Sequence, residues 1–395
     1  MQPIACRISV MSGEGALAVF AQAKELERQG RSIIHLELGE PDFHPAAPVN
    51  DALKHALDDG KDRYCPVQGV PALREAIAVY LQRTRKIEVP SNNIVIAPGC
   101  KIALFMALFS LIEPGDEVLY PDPGFPGYDS ITRGVGGTPI AFSLSERNHL
   151  QPDPDEIAAK ITRRTKAIIT NSPGNPTGTV YTDAVQRRIA ELAVKHDLFV
   201  LSDEIYARII YGDEYLSMLR YPGMEERTLI IDGFSKSFAM TGWRLGYVTA
   251  PPEIVPALKM LIMNTFTCVA EFTQYAAIEA LTDREGATPN MVAEFAKRRG
   301  QFVRDLNGVP GFRCQSPEGA FYAWVNIAET GTSAEEICRI MLEEAGVAAI
   351  PGAAFGSSGK EFVRFSFASS MATLKEAVER IQRVSSAWQR SVVLK

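Results

Sequence analysis

The sequence predicts an α/β fold: a large domain with a mostly parallel seven-stranded sheet flanked by helices, and a smaller α+β domain made from the N- and C-terminal segments. Three observations predict it. Seven short apolar runs recur between Ile94 and Val248, each of strand length. Helical stretches separate most of them, as at 101–112 and 184–196, and strands alternating with helices mean βαβ units. From roughly Met291 the pattern shifts to helices with fewer strands. The expected division is therefore 1–45 as an N-terminal part of the small domain, 46–290 as the large domain and 291–395 as the small C-terminal domain.

In chain order, a helix begins near Leu17, with Val19, Ala23 and Leu26 on one face, and Gly30 stops it. Ile33–Leu36 reads as a strand that exits into the rigid turn Gly39-Glu40-Pro41-Asp42-Phe43, where a glycine allows close backbone approach. Pro71 opens the next helix, with Leu73, Ile77 and Leu81 as its apolar stripe. The seven candidate strands are Ile94–Ala97, Val118–Tyr120, Ile140–Phe142, Ala167–Thr170, Leu198–Leu201, Leu229–Ile231 and Leu245–Val248. A long helix around 253–300 is expected to run through the soft boundary between the domains.

Composition excludes several classes. A chain of 395 residues with 46% hydrophobic and 22% charged residues has the profile of an ordinary globular protein with room for two domains. The net charge of −6 and the lack of a basic run argue against nucleic acid. No apolar stretch reaches membrane-spanning length, and the first residues carry no secretory pattern. The six cysteines lack paired spacing, so neither a disulfide framework nor a zinc site is expected, and a cytoplasmic location fits.

Chemistry concentrates in residues 228–247. Lys236 stands just past a buried strand, where open α/β sheets place their sites. A free lysine amine has a pKa of about 10.4, so at neutral pH it needs help to act as a nucleophile; a Schiff base with a bound carbonyl is one way to hold it ready. Four further features fall at the same sheet edge. Gly99-Cys100-Lys101 join a strand to a helix start, which offers free N–H groups to a phosphate. Asn175 lies in a loop stiffened by two prolines and two glycines. Asp203 ends a buried strand with Tyr206 three residues on; the acid needs a partner, either a cofactor's cationic ring nitrogen or a protein lysine or arginine. Arg244 can give a charge-assisted fork to a phosphate. Together these match the needs of pyridoxal phosphate.

The combination resembles the fold-type I pyridoxal-phosphate aminotransferases of class I/II, the aspartate aminotransferase superfamily. The resemblance spans roughly residues 15–385, on GEPDF at 39–43, RYCPVQGVPALREA at 63–76, NPTG at 175–178, DEIY at 203–206, SK at 235–236, GWRLGY at 242–247 and VRFSFA at 363–368. It implies that Lys236 carries the cofactor and moves the substrate's proton, and that Asp203 keeps the pyridine nitrogen protonated. Asn175 and Tyr206 would hold the ring oxygen, and Phe125, where many relatives have tryptophan or tyrosine, would stack on the ring. Gly99, Cys100, Lys101 and Arg244 would seat the phosphate, with Ser235 beside the lysine. Arg364 would grip the substrate's α-carboxylate in a pocket lined by Gly39. Tyr64 would reach the neighbouring subunit's phosphate, which implies a homodimer.

Two positions depart from the family pattern. Gly233 stands where many relatives place a serine or threonine on the phosphate, and Met11–Ala16 lacks their usual threonine in a substrate-covering loop. The expected activity is ping-pong transamination between an L-amino acid and a 2-oxo acid, with aspartate or glutamate and 2-oxoglutarate leading. Aromatic or small neutral donors follow. A β- or γ-elimination lyase using the same cofactor residues is the alternative, and a cofactor-binding regulator is disfavoured because no DNA-binding segment precedes the fold.

Overall fold

The computed structural model describes residues 4–212, 214–386 and 388. All seven apolar runs enter one sheet: β1 (Ile94–Ala97), β2 (Glu117–Asp122), β3 (Thr138–Ser143), β4 (Thr165–Asn171), β5 (Phe199–Asp203), β6 (Thr228–Gly233) and β7 (Gly246–Thr249). Their order across the sheet is β1-β7-β6-β5-β4-β2-β3. Strands β6 to β3 run parallel, and β7 is antiparallel to both β6 and β1. Six strands therefore point one way and β7 alone points back.

Alternation along the strands builds two apolar faces, because successive side chains point to opposite sides. Val95 and Ala97 face one side with Leu229, Ile231 and the helix Cys100–Leu111. Ile94, Ile96 and Ile230 face the other, against the helices Pro71–Arg85 and Glu271–Thr282. The stripe Leu73, Ile77 and Leu81 is fully buried there, and each such side chain contributes about 1.5–3 kcal/mol of burial.

The chain does not form one long helix around 253–300. Three helices take its place, Val255–Thr265, Glu271–Thr282 and Ala287–Asn307. Left-handed backbone at Thr267 and Asp283 follows the first two helices, and Gly286, also left-handed, leads into the third.

A second, antiparallel sheet pairs Ile350–Pro351, Phe362–Ser366, Tyr322–Asn326 and Arg313–Cys314 in that order. The N-terminal segment packs with it. Ile34–His35 pairs in parallel with Val347–Ala348, and the Ser366 N–H donates to the Leu36 carbonyl at 2.7 Å. Ala23 of the helix Gly15–Arg28 is buried against Leu342 and Ala348. Among the described residues, no helix is long and apolar enough to cross a membrane.

Candidate active site

Strand direction gathers the expected residues at one edge. Asn171, Asp203 and Gly233 are the last residues of β4, β5 and β6, and Gly99 and Phe125 lie just beyond β1 and β2. Arg244 reaches the same edge from the opposite sense. It precedes β7, and β7 begins there because it runs backwards, with Gly246 paired to both Gly233 and Ala97.

A cavity of about 280 Å³ opens at this edge. Gly39, Cys100, Lys101, Phe125, Asn175, Asp203, Tyr206, Ser235, Lys236, Arg244 and Arg364 all line it. Gly99 flanks it, close enough that a Cβ there would lie 2.5 Å from the Arg244 guanidinium. Tyr64 does not line it and is 85% exposed on the outside of the chain.

Lys236 faces the cavity from otherwise enclosed surroundings. Its Nζ donates to the Gly39 carbonyl at 2.5 Å. Burial pulls its ammonium down to about 8, so the neutral amine is within reach at working pH. Asp203 is buried and accepts from the Tyr128 hydroxyl at 2.7 Å and the Ile205 N–H at 3.3 Å. Burial nevertheless pushes its carboxyl up to about 6. Among the described residues no lysine or arginine pairs with it, so the protein-cation alternative does not apply. Its neighbour Glu204 points to the other side of the strand, where it and Asp232 neutralise the buried Arg85.

The Arg364 side of the cavity is built from the second sheet. Arg364 donates to Asn175 Oδ1 at 2.9 Å and to the Glu37 carbonyl, stacks over Tyr322 at 4.4 Å, and leaves its buried Nε without a partner. Tyr206 and Tyr322 share a hydroxyl hydrogen bond of 2.7 Å, and burial raises both phenols, Tyr206 well above its ordinary value. The segment Glu37–Gly39 thus holds Arg364 by one carbonyl and Lys236 by another.

Two glycines are required by space. A Cβ at Gly39 would lie 2.0 Å from the Tyr322 hydroxyl. Gly39→Ala is expected to displace Tyr322 and lower kcat/KM about 10²-fold with the fold intact, measured by steady-state kinetics beside circular dichroism. At Gly233 a Cβ would meet Gly246 Cα at 2.8 Å and Cys100 Sγ at 2.9 Å. This accounts for the departure from the family's serine or threonine: the Cys100 thiol and the β7 backbone already fill that space.

Sequence reading missed four participants. Tyr128 orients Asp203, and Tyr322 pairs with Tyr206. Asn171 donates to the Asp203 carbonyl at 3.1 Å and accepts from the Asn175 N–H at 2.8 Å, linking two expected residues. Glu14 lines the cavity and forms an ion pair with Lys101. Asn171 opens the Asn-Ser-Pro-Gly-Asn loop, a local signal that could have found it; the other three act across long sequence distances.

The site fits pyridoxal phosphate. The buried carboxylate without a cation suits a protonated ring nitrogen, Phe125 presents an aromatic face, and the close approach of Gly99 to Arg244 leaves a cradle of N–H groups and guanidinium for a phosphate. No group of three or more histidine, cysteine, aspartate or glutamate residues is arranged to hold a metal among the described residues.

Comparison with known proteins agrees. Residues 31–381 match the family model for aminotransferase class I and II. An aspartate aminotransferase of Pyrococcus horikoshii is 38% identical over 383 residues, 96% of each chain. The aromatic-amino-acid aminotransferase 2 of Thermococcus litoralis is 39% identical over 356 residues, 89% of this chain and 91% of its own. The structure of the Thermus thermophilus aspartate aminotransferase with maleate superposes with a TM-score of 0.93 at 36% identity, covering 97% of this chain and 100% of that one.

Proposed function

This chain belongs to the class I and II aminotransferases and is a pyridoxal-phosphate-dependent aminotransferase, and we propose that its amino donor is aspartate or glutamate, with 2-oxoglutarate as the acceptor. The observation that carries the substrate assignment is the Lys101 side chain. It lines the cavity as a cation besides the three needed for the cofactor, the proton and the α-carboxylate. The names of several relatives support the same choice.

Bound pyridoxal phosphate supplies a carbonyl carbon for the amino group and a ring that takes up the electron pair left by the α-proton. Asp203, kept from other cations, would keep the ring nitrogen protonated. Asn175 and Tyr206 would hold the ring oxygen, and Phe125 would offer its aromatic face to the ring. The N–H groups that follow Gly99, the Ser235 hydroxyl and Arg244 would hold the phosphate. Arg364 takes the substrate's α-carboxylate in a bidentate fork, where its unpaired buried Nε gains a partner. That grip sets the α-C–H bond toward Lys236 Nζ, which removes the proton as a neutral amine. Holding base and substrate in one geometry supplies a large share of the barrier reduction.

The division of labour follows the proposed domains: residues 46–290 hold the cofactor, while 1–45 and 291–395 supply Gly39 and Arg364. The proposed assembly is a cytoplasmic homodimer in which Tyr64 completes the neighbouring site. The exposure of Tyr64, Phe109, Met260, Met263 and Phe266 supports it.

The test is a half-reaction. Protein loaded with pyridoxal phosphate is mixed with single amino acids and no oxo acid while the visible spectrum is followed. Aspartate or glutamate should remove the visible band and leave pyridoxamine phosphate. Loss of the band with neutral or aromatic amino acids only would discard the acidic donor. Pyruvate and ammonia from a cysteine-type substrate, without a new amino acid, would establish a lyase instead.

A further inference from the structure

We propose that Glu14 is a specificity-determining residue of this cavity: its carboxylate occupies the Lys101 ammonium where an acidic substrate's far carboxylate would bind, so acidic substrates displace it and neutral ones leave it in place. The substrate side of this inference rests on the acidic-donor assignment above.

The geometry carries it. Lys101, in the first turn of the helix Cys100–Leu111, holds its Nζ on Glu14 Oε1 and 5.6 Å over the Phe125 ring. Both members of the pair line the cavity, with side chains 49% and 26% exposed, so a ligand can reach them. Among the described residues the carboxylates that line the cavity are Glu14 and Asp203, and Asp203 is taken up by Tyr128. Glu14 is therefore the acid that faces substrate.

Glu14 is also free to move. It occupies the N-cap of the helix Gly15–Arg28 but makes no side-chain capping bond, so the helix does not use its carboxylate. Its backbone is pinned on both sides. The Ser12 N–H donates to Ser130 Oγ at 3.0 Å, and a Cβ on Gly15 would lie 2.7 Å from Ala354 Cβ. The carboxylate can swing away by side-chain rotation while the segment stays down over the cavity.

Two modes of binding follow. A substrate with one carboxylate uses Arg364 and meets a neutral Lys101–Glu14 pair. A dicarboxylate uses Arg364 and takes Lys101 from Glu14. Partly exposed ion pairs of this kind are weak, so the exchange costs an acidic substrate only a small factor in affinity. One cavity can then serve acidic and neutral donors.

The test compares two unreactive ligands on the cofactor-loaded protein by titration calorimetry: maleate, with two carboxylates, and 3-phenylpropionate, with one. Glu14→Gln should tighten maleate about five-fold and leave 3-phenylpropionate within roughly two-fold. In a Lys101→Gln background the Glu14→Gln effect on maleate should vanish. Unchanged or weaker maleate binding would overturn the inference, and so would equal tightening of both ligands, which would mean a general field effect. The half-reaction of the parent protein with aspartate is read separately. If aspartate fails there while Glu14→Gln still tightens maleate selectively, the donor assignment falls and the role of Glu14 stands.

Discussion

Lys236→Ala is expected to fold, to take up pyridoxal phosphate and to transaminate about 10⁴-fold more slowly than the parent. The expectation comes from position. Lys236 Nζ is held over the cavity by the Gly39 carbonyl at 2.5 Å, on the same short segment that steadies Arg364. Among the described residues that line the cavity the other lysine is Lys101, and its ammonium is ion-paired with Glu14. Alanine removes the proposed base and leaves Asp203, Phe125 and Arg244 in place, so cofactor uptake should persist and the loss should fall on kcat. Added methylamine should restore part of the rate in proportion to its neutral form. A variant that methylamine leaves inert, although it holds cofactor, would speak against Lys236 as the proton carrier.

Asp203→Asn has two expected effects of opposite sign. Activity should fall about 10²–10³-fold, because on the proposed mechanism an amide could not keep the ring nitrogen protonated at neutral pH. The cofactor-free protein, in contrast, becomes more stable at pH 7.5, by up to about 3 kcal/mol. The sign follows from burial. Asp203 is raised from 3.8 to about 6 in the fold. Its protonated form favours the native state below about pH 4, and that contribution disappears as pH rises through about 6. Above that, an ionised carboxylate sits buried with only a phenol and an amide N–H for company. Asparagine keeps the size and removes the charge. Urea melts of the cofactor-free parent and variant at pH 4 and pH 7.5 check this. The gain should appear only at the higher pH; equal melts at both would refute the burial argument.

Much of this site was legible in the sequence, for a physical reason. Buried parallel strands read as short apolar runs, so Ile94–Ala97 and Leu229–Ile231 announced themselves and fixed where Gly99 and Lys236 would stand. Lys236, Asp203 and Arg364 carry charge in apolar surroundings, which marks them against their neighbours. Tyr128, Tyr322 and Glu14 carried no such mark. Tyr128 meets Asp203 at a separation of 75 residues, Tyr322 meets Tyr206 at 116 and Glu14 meets Lys101 at 87, and one sequence holds no trace of such pairings. The three helices between 255 and 307 were illegible because two of the turns rest on Thr267 and Asp283, ordinary residues in left-handed backbone. The reason for Gly233 was hidden too, since it lies in the thiol of Cys100 across the sheet edge.

The backward strand β7 has a consequence for how this chain can vary. It makes residues 234–245 a single connection that carries both Lys236 and Arg244, bounded by Gly233 and Gly246 paired in register. Phe234, Met240 and Leu245 anchor that connection in the core, so it has no slack. One residue added or removed there would misplace the amine relative to the guanidinium, and no rearrangement elsewhere could restore the spacing. In an insertion-and-deletion library this stretch should be a gap without survivors, while the exposed turn at Asp59–Gly60 should accept added residues freely. The amine and the guanidinium therefore stay in step only while this connection keeps its length.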